Sequence, residues 1–289
     1  MGGNRSITDV LEAAQHLRVC FIGDAIVDEY RYCRPLGRSP KESLIPVQWE
    51  STEEFRGGVE AASNHARSFC RDVVIRSRYT STRKVRFVER PYLRKIFEYQ
   101  CPDQPLGLIP DDVRLLDMII VTDFGHGELT QRDRDDLCDS SMYLAVNAQT
   151  NAANFGFNPI TNYRRADYIV IDEPEARLAA HDRESPIEVV IEQLAHNRCN
   201  KFIVTRGTQG AVGYDGTHFY YQPAFTQQVV DTMGAGDAFF AVTAPLSPTA
   251  SIDELLMIGN AAGALKCHII GHRQPVTKSA LIQFLKDRA

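Results

Sequence analysis

Residues 229–242 read VVDTMGAGDAFFAV. Gly234 and Gly236 flank Ala235, and Asp237 follows at the start of an apolar run. Glycines let backbone N–H groups turn toward a bound anion with no Cβ in the way. The helix that begins here adds partial positive charge at its N-terminus, about half an elementary charge. This pattern suits the terminal phosphoryl group of a nucleotide. It also sets the Asp237 carboxylate where it could take a proton from an alcohol. A short glycine motif arises equally as a plain loop before a helix, so its meaning depends on the rest of the chain.

Moving outward, apolar strand-like runs alternate with helical stretches. LLDMIIVTDF, MYLAVN, ADYIVID and KFIVTRG read as strands. LTQRDRDDLCDS, EPEARLAAH and IEVVIEQLAHN read as helices between them, and AVGYDGTHFYYQ as a hairpin. SIDELLMIGNAAGALKCHI and TKSALIQFLK close the chain as helices. Near the start, Ser6 caps a helix, RVCFIG is a buried strand ending near Gly23, and Gly57-Gly58 opens a further helix. Continuous apolar strands alternating with helices indicate a mainly parallel sheet covered on both faces. Ligands bind outside the carboxyl ends of such strands. GDAIVD, TDFGHG, VNAQTN, IDEPE and VTRG all fall there. Residues 31–56 differ in kind, with short β pieces among polar residues and prolines. KVRFVER and LRKIFEYQ, separated by Pro91, form a second β hairpin. Residues 31–56 and 84–100 therefore predict a small β flap on a single domain over 1–289.

The chain has 289 residues, 44% hydrophobic and 24% charged, with a net charge of −5. These values predict a folded globular protein with no general affinity for nucleic acid or anionic membrane. No apolar run approaches the ~20 residues that span a bilayer, and the first residues lack an apolar signal core. Seven cysteines, an odd number at wide spacings with no CxxC pair, argue against a disulfide framework and a zinc site. A reducing cytoplasm is the expected location.

DTMGAGDAF resembles the DTxGAGD signature of the PfkB/ribokinase family of carbohydrate kinases. GDAIVDEY, EEFRGGVEAA, VTDFGHGEL, VTRGTQGAV and GNAAGAL fall in that family's order along nearly the whole chain. RSPKESLIPV followed by EEFRGGVEAA is similar to the flap and Gly-Gly helix of the heptose-7-phosphate kinase (RfaE-like) branch. The resemblance implies a ribokinase-like three-layer α/β/α domain with a β lid. It implies ATP and Mg²⁺ as cofactors and phosphoryl transfer to a hydroxyl of a sugar or sugar phosphate. Asp237 would be the base, and Gly234, Ala235 and Gly236 the anion hole. Asp28 would bind sugar hydroxyls, with Asp24, Gly57, Gly58 and Asn64 beside it. Thr205, Arg206, Gly207, Gly210, Asp231, Thr232, Asn260 and Gly263 would line the nucleotide. Asp172 and Glu175 stand where the family has an Asn-x-x-Glu motif that helps hold Mg²⁺, with Asp172 in place of its Asn. The resemblance also implies a homodimer paired through the lid, whose uncovered β edges are a liability alone, and a functional link to a nucleotidyltransferase.

The same residues carry plainer readings. Asp24 and Asp28 suit turn caps as well as sugar hydroxyls. Gly57-Gly58 can cap a turn. Asp172 and Glu175 sit three apart at a helix start, where acidic residues are favoured in any case. Lys84, Arg86, Arg94 and Lys95 could meet a substrate phosphate or form a solvated strand face. Trp49 reads as packing.

Three features depart from the family pattern. Only RSRYTST separates DVVI from KVRFVER, where relatives carry a further helix and strand. Asn147 and Gln149 stand where heptose kinases have an Asp-Pro-Lys segment. Asn64 lies further from the Gly-Gly pair than the family's Asn. Two other readings stay open on these grounds: a weakly active or inactive sugar- or nucleotide-binding module, and a kinase for a nucleoside-like alcohol.

Overall fold

In a computed structural model of the chain, residues 5–77, 82–101, 116–225 and 229–288 are described. The central sheet begins with β1 (Arg18–Gly23), which pairs in parallel with β4 (Asp72–Arg76) on one side and β7 (Met118–Asp123) on the other. β8 (Leu144–Ala148), β9 (Tyr168–Asp172) and β10 (Phe202–Thr205) continue it in parallel. The antiparallel hairpin β11 (Ala211–Tyr214) and β12 (Phe219–Gln222) ends it, in the order β12-β11-β10-β9-β8-β7-β1-β4. These strands alternate faces with period two, as a pleated backbone requires. Val19, Phe21, Met118 and Ile120 enter one apolar core, while Cys20, Ile22, Ile119 and Val121 enter the other. One face is covered by α2 (Gly58–Ala66), α6 (Ala235–Thr243), α7 (Ile252–Lys266), α8 (Lys278–Lys286) and the short α1 (Ile7–Glu12). The other is covered by α3 (Gln131–Ser140), α4 (Glu173–Ala180) and α5 (Ile187–Ala195). This is the expected α/β/α arrangement.

A second sheet stands apart as the lid, with order β3-β2-β5-β6. It contains β2 (Ala25–Pro35), β3 (Val47–Gly57), β5 (Thr82–Glu89) and β6 (Arg94–Cys101). Tyr30, Tyr32, Phe55 and Val88 form its small core against Met233 and Ile270 of the body. The lid begins earlier than the sequence suggests. After Gly23 the chain does not stop but enters β2 almost at once, so GDAIVDEY is two elements. Both halves are apolar, and a run that changes sheets mid-course gives no periodicity signal. The segment between β4 and β5, where relatives carry more structure, includes residues 78–81, which lie outside the described ones. All seven cysteines are free thiols. Trp49 is exposed instead of packed, its indole N–H donating to Thr52. Among the described residues no helix is long and apolar enough to cross a membrane.

Candidate active site

Gly234 caps α6 at φ +73°, in the left-handed region that glycine enters without cost. A Cβ there would lie 2.9 Å from His272 Cε1. Ala235 N–H bonds back to Thr232 O, and Ala238 N–H to Gly234 O. Among the described residues the N–H groups of Gly236 and Asp237 have no acceptor, so two donors of the first turn stay available to an anion.

Asp237 is buried, and Gln149 donates from Nε2 to its Oδ1 at 2.6 Å. Burial raises its pKa, against the pull of His272, Gln149 and Lys266. Gln149 belongs to one of the three departures from the family pattern, yet its amide orients the carboxylate. Its own position is fixed by Asn147, which accepts from Nε2 at 3.1 Å and donates to Val170 O at 2.7 Å.

Two adjoining cavities meet at this turn. One, of about 230 Å³, is lined by Gly234, Gly236, Asp237, Gln149, Asp172 and Glu175, among others. The second, of about 330 Å³, is lined by Thr205, Gly207, Gly210, Thr232, Asn260 and Gly263, with Ala235 and Gly236 at its inner end. Asp172, Thr205 and Gly236 face both. The structure thus gathers most of the predicted nucleotide residues along one run that ends at Asp237. A larger open cavity of about 580 Å³ lies beside the lid between Tyr32, Glu53, Arg90 and Arg273. It contains none of the predicted site residues.

Asp172 and Glu175 cap α4 reciprocally. Asp172 Oδ1 accepts the Glu175 N–H and Glu175 Oε2 the Asp172 N–H, both at 2.8 Å; Thr150 N–H reaches Glu175 Oε1 at 3.0 Å. The plain capping role is therefore real, but it leaves both carboxylates on the cavity wall. Burial and the adjacent Asp172 charge push Glu175 up to about 8, and burial raises Asp172 even though it opens onto the cavity.

Several predicted contacts are placed elsewhere. Arg206 lies outside both cavities and bonds Glu173 at 2.7 Å. Asp231 is consumed internally. It accepts from Tyr30 OH at 3.2 Å, Lys95 at 3.1 Å, Met233 N–H at 3.1 Å and Gly271 N–H at 2.9 Å, which tethers lid to body. Asn64 is exposed and accepts from Arg67 at 2.9 Å, because the helix turns that position away from the lid. Asp24 is buried with its carboxylate accepting the Phe124 N–H at 2.8 Å and the Glu128 N–H at 3.2 Å, so it caps a turn. Burial and the Asp123 charge push it up to about 7. At Gly57 and Gly58 the space a side chain would need is taken by the chain itself. A Cβ on Gly57 would lie 2.3 Å from Asp28 Oδ2, and one on Gly58, at φ +58°, would lie 2.2 Å from Asp24 O. The pair lets α2 approach the chain's own Asp24–Asp28 segment.

Asp28 does not end a central strand; it sits within β2, on the lid. Arg86 donates to its Oδ1, and His272 Nε2 lies 3.5 Å from Oδ2. Burial works to raise Asp28, but the contacts with His272 and Arg86 outweigh it and hold the carboxyl below its usual range. Because His272 also abuts Gly234, it bridges Asp28 and the anion turn. Sequence reading missed it, as a lone His in GHRQP carries no spacing signal. It also missed Lys266, fully buried at the end of α7. Lys266 donates to Met233 O at 2.6 Å, Gly271 O at 2.7 Å and Ile269 O at 3.3 Å, which fixes the anion turn against the 269–271 loop.

Residues 158–278 match the pfkB family carbohydrate kinase profile. Over 154 residues the chain is 30% identical to an ATP-dependent ribose-1-phosphate kinase of Halopiger xanaduensis, covering 52% of each chain. Over 126 residues it is 29% identical to a ribokinase of Lactococcus lactis, covering 39% of this chain and 40% of that one. The chain thus spans about half the length, or less, of the curated relatives it matches. Ribokinase from Thermotoga maritima superposes with a TM-score of 0.72 over 93% of this chain and 99% of that one, at 16% identity. Arabidopsis thaliana ribokinase, complexed with ribose and ATP, gives 0.69 over 94% and 99%, at 16% identity. The chain is thus similar to pfkB family carbohydrate kinases through residues 158–278, and its fold is ribokinase-like over 93% of its length.

Proposed function

We propose that the protein transfers the terminal phosphoryl group of ATP to a hydroxyl of a sugar or sugar phosphate. The observation that carries this reading is the junction at Asp237: a buried carboxylate and two unused helix N–H donors, beside two adjoining cavities of about 230 and 330 Å³. ATP would lie along Thr205, Gly207, Gly210, Asn260 and Gly263, with its terminal phosphate at the Gly234–Asp237 turn. The acceptor would lie under the lid between Asp28 and Asp237. Asp237 takes the proton from the attacking hydroxyl as the bond to phosphorus forms. The Gly236 and Asp237 N–H groups hold the charge on the transferring group, the main catalytic task in this chemistry. The lid keeps water from the phosphoryl group.

The donor set fits Mg²⁺. Asp172 and Glu175 are oxygen donors on the wall of the phosphate cavity, and two carboxylates suit an ion that keeps most of its water. A bound Mg²⁺ would neutralise phosphate charge. The pair's raised pKa values mark a place where added positive charge is favoured.

The relatives' names, ribose-1-phosphate kinase and ribokinase, and the lid's likeness to heptose-7-phosphate kinases define the acceptors to screen: pentoses, hexoses, heptoses and their monophosphates. ADP release measured across that panel tests the reading. Asp237→Asn is expected to lower turnover on the best acceptor by roughly 10²–10⁴-fold with ATP affinity nearly unchanged. Near-full turnover in that variant would remove Asp237 as the base. Tight sugar binding with no transfer would favour a binding module.

A further inference from the structure

We infer that the acceptor carries an anionic group of its own, a phosphate or carboxylate remote from the hydroxyl attacked, and that this group sits against Lys84. The inference rests on the acceptor lying under the lid as described above.

Lys84 lies on β5 directly beside Asp28 on β2, and Arg86 beside Tyr30. Paired residues of adjacent strands share a face, as do residues two apart. Lys84, Arg86, Asp28 and Tyr30 therefore line one face of the lid. Tyr30 bonds Asp231 of the body, so this is the face turned toward the active site. Lys84 is only 7% exposed, yet among the described residues it has no hydrogen bond and no ion pair. Its Nζ is not among the fully enclosed polar atoms, so a largely buried ammonium with no direct partner still opens toward a ligand, and an anion there is favoured.

The carboxylates nearby are committed elsewhere. Asp28 and Glu98 both bind Arg86, Asp24 accepts two backbone N–H groups, and Asp123 binds Arg134 at 2.9 Å. Two further polar atoms near Asp28 are unused. Nε2 of His126, on the loop after β7, is buried without a partner, and so is Nδ1 of His272. Lys84 acts electrostatically on His126, which fits their lying close together. Neutral hydroxyls would satisfy the two imidazoles but give the ammonium no charged partner in contact, since Asp28, Glu98 and Asp24 act on it only at a distance. An anion answers all three.

The test compares neutral sugars with their anionic counterparts: ribose with its 1- and 5-phosphates, fructose with its 6-phosphate, sedoheptulose with its 7-phosphate, and glucose with gluconate. Calorimetric binding and ADP release are read on the full chain. At least one anionic acceptor should bind about 30-fold or more tighter than its parent, as a charge-assisted contact in a buried site allows. The phosphate and carboxylate arms identify which anion it is. Lys84→Met should reduce that preference by about tenfold or more, and Lys84→Arg should keep most of it. Lys84→Met should also melt at least as high as the parent protein, since it removes a largely buried charge that has no ion pair. Equal binding of neutral and anionic sugars overturns the inference. So does a Lys84→Met variant that weakens both by the same factor. If Lys84→Met does not fold, the neutral-against-anionic ratio in the parent chain decides alone. Lys84-dependent binding of an anionic sugar without transfer from ATP would sink the kinase reading and leave this one standing. Transfer to neutral sugars only would do the reverse.

Discussion

At the scale of single residues, the site is organised by carboxylates held away from their ordinary protonation. Glu175 is the clearest case, pushed up to about 8 by burial and by Asp172. The unfolded chain releases this proton near pH 4.5, while the folded chain keeps it to about 8. Between those values the folded state binds more protons than the unfolded one, so stability falls as pH rises through this window. Asp24, at about 7, adds to the same slope between its ordinary value and pH 7. Buried His65 and His126, lowered to about 3 and about 4, act the opposite way below pH 6.5, so the ligand-free protein should lose melting temperature chiefly from about pH 6.5 to 8 in low-salt buffer. Glu175→Gln should flatten that decline, because the amide does not titrate. Millimolar Mg²⁺ should flatten it too, by favouring the ionised pair. A slope that Glu175→Gln leaves unaltered would remove Glu175 as its source.

At the scale of elements, the anion turn depends on what is packed behind it. Gly234→Ala forces a left-handed alanine, at a cost of about 1–2 kcal/mol, and drives its Cβ into His272. Turnover should drop by at least about tenfold while ATP binding weakens less, because the displaced His272 also touches Asp28. Lys266→Met leaves the carbonyls of Met233, Ile269 and Gly271 without their donor, and such losses cost about 1–3 kcal/mol for each buried group left unpaired. It should lower the melting temperature by several degrees and the turnover with it. A Lys266→Met variant as stable and as active as the parent chain would show that the ammonium does not hold the turn.

The turn itself was legible, because VVDTMGAGDAFFAV combines glycine freedom, a helix start and one carboxylate within a few residues. The alternating layers were legible for a similar reason, since the central strands carry apolar runs and α1, α3, α4, α7 and α8 start at side-chain caps. What stayed hidden was long-range. Asp231 stands one residue before Thr232, a cavity-lining residue, yet faces the lid, and only the fold reveals that Tyr30 and Lys95 meet it. Arg206 stands between Thr205 and Gly207 but turns to Glu173. Local spacing fixes which element a residue occupies. It does not fix which side of a loop the side chain leaves.

At the scale of the whole molecule, the question is how a lid on four strands is kept shut against a three-layer body. The contacts among the described residues are both polar and apolar. Asp231 receives Tyr30 and Lys95, and Arg273 forks onto Glu53 at 2.6 and 2.7 Å. Among the described residues, Tyr30, Tyr32, Phe55 and Val88 pack against Met233 and Ile270, and Ala25 of β2 joins the body core. This junction lets the lid open for exchange of ligands, while its charged pairs favour the closed arrangement in which water is kept from the phosphoryl group. Asp231 also accepts the Met233 N–H within the loop that leads into the anion turn, so lid closure and turn geometry share one carboxylate. Loosening the lid should therefore cost coupling before it costs chemistry. Lys95→Met combined with Arg273→Met removes two tethers and leaves Asp231 its other three donors. The double variant should hydrolyse ATP without acceptor several-fold faster relative to its sugar-dependent rate, and its acceptor KM should rise more than its kcat falls. The ratio of acceptor-independent to acceptor-dependent ADP release reads this directly. If that ratio stays at the parent value while both rates fall together, the tethers only stabilise the fold, and exclusion of water must come from the acceptor itself.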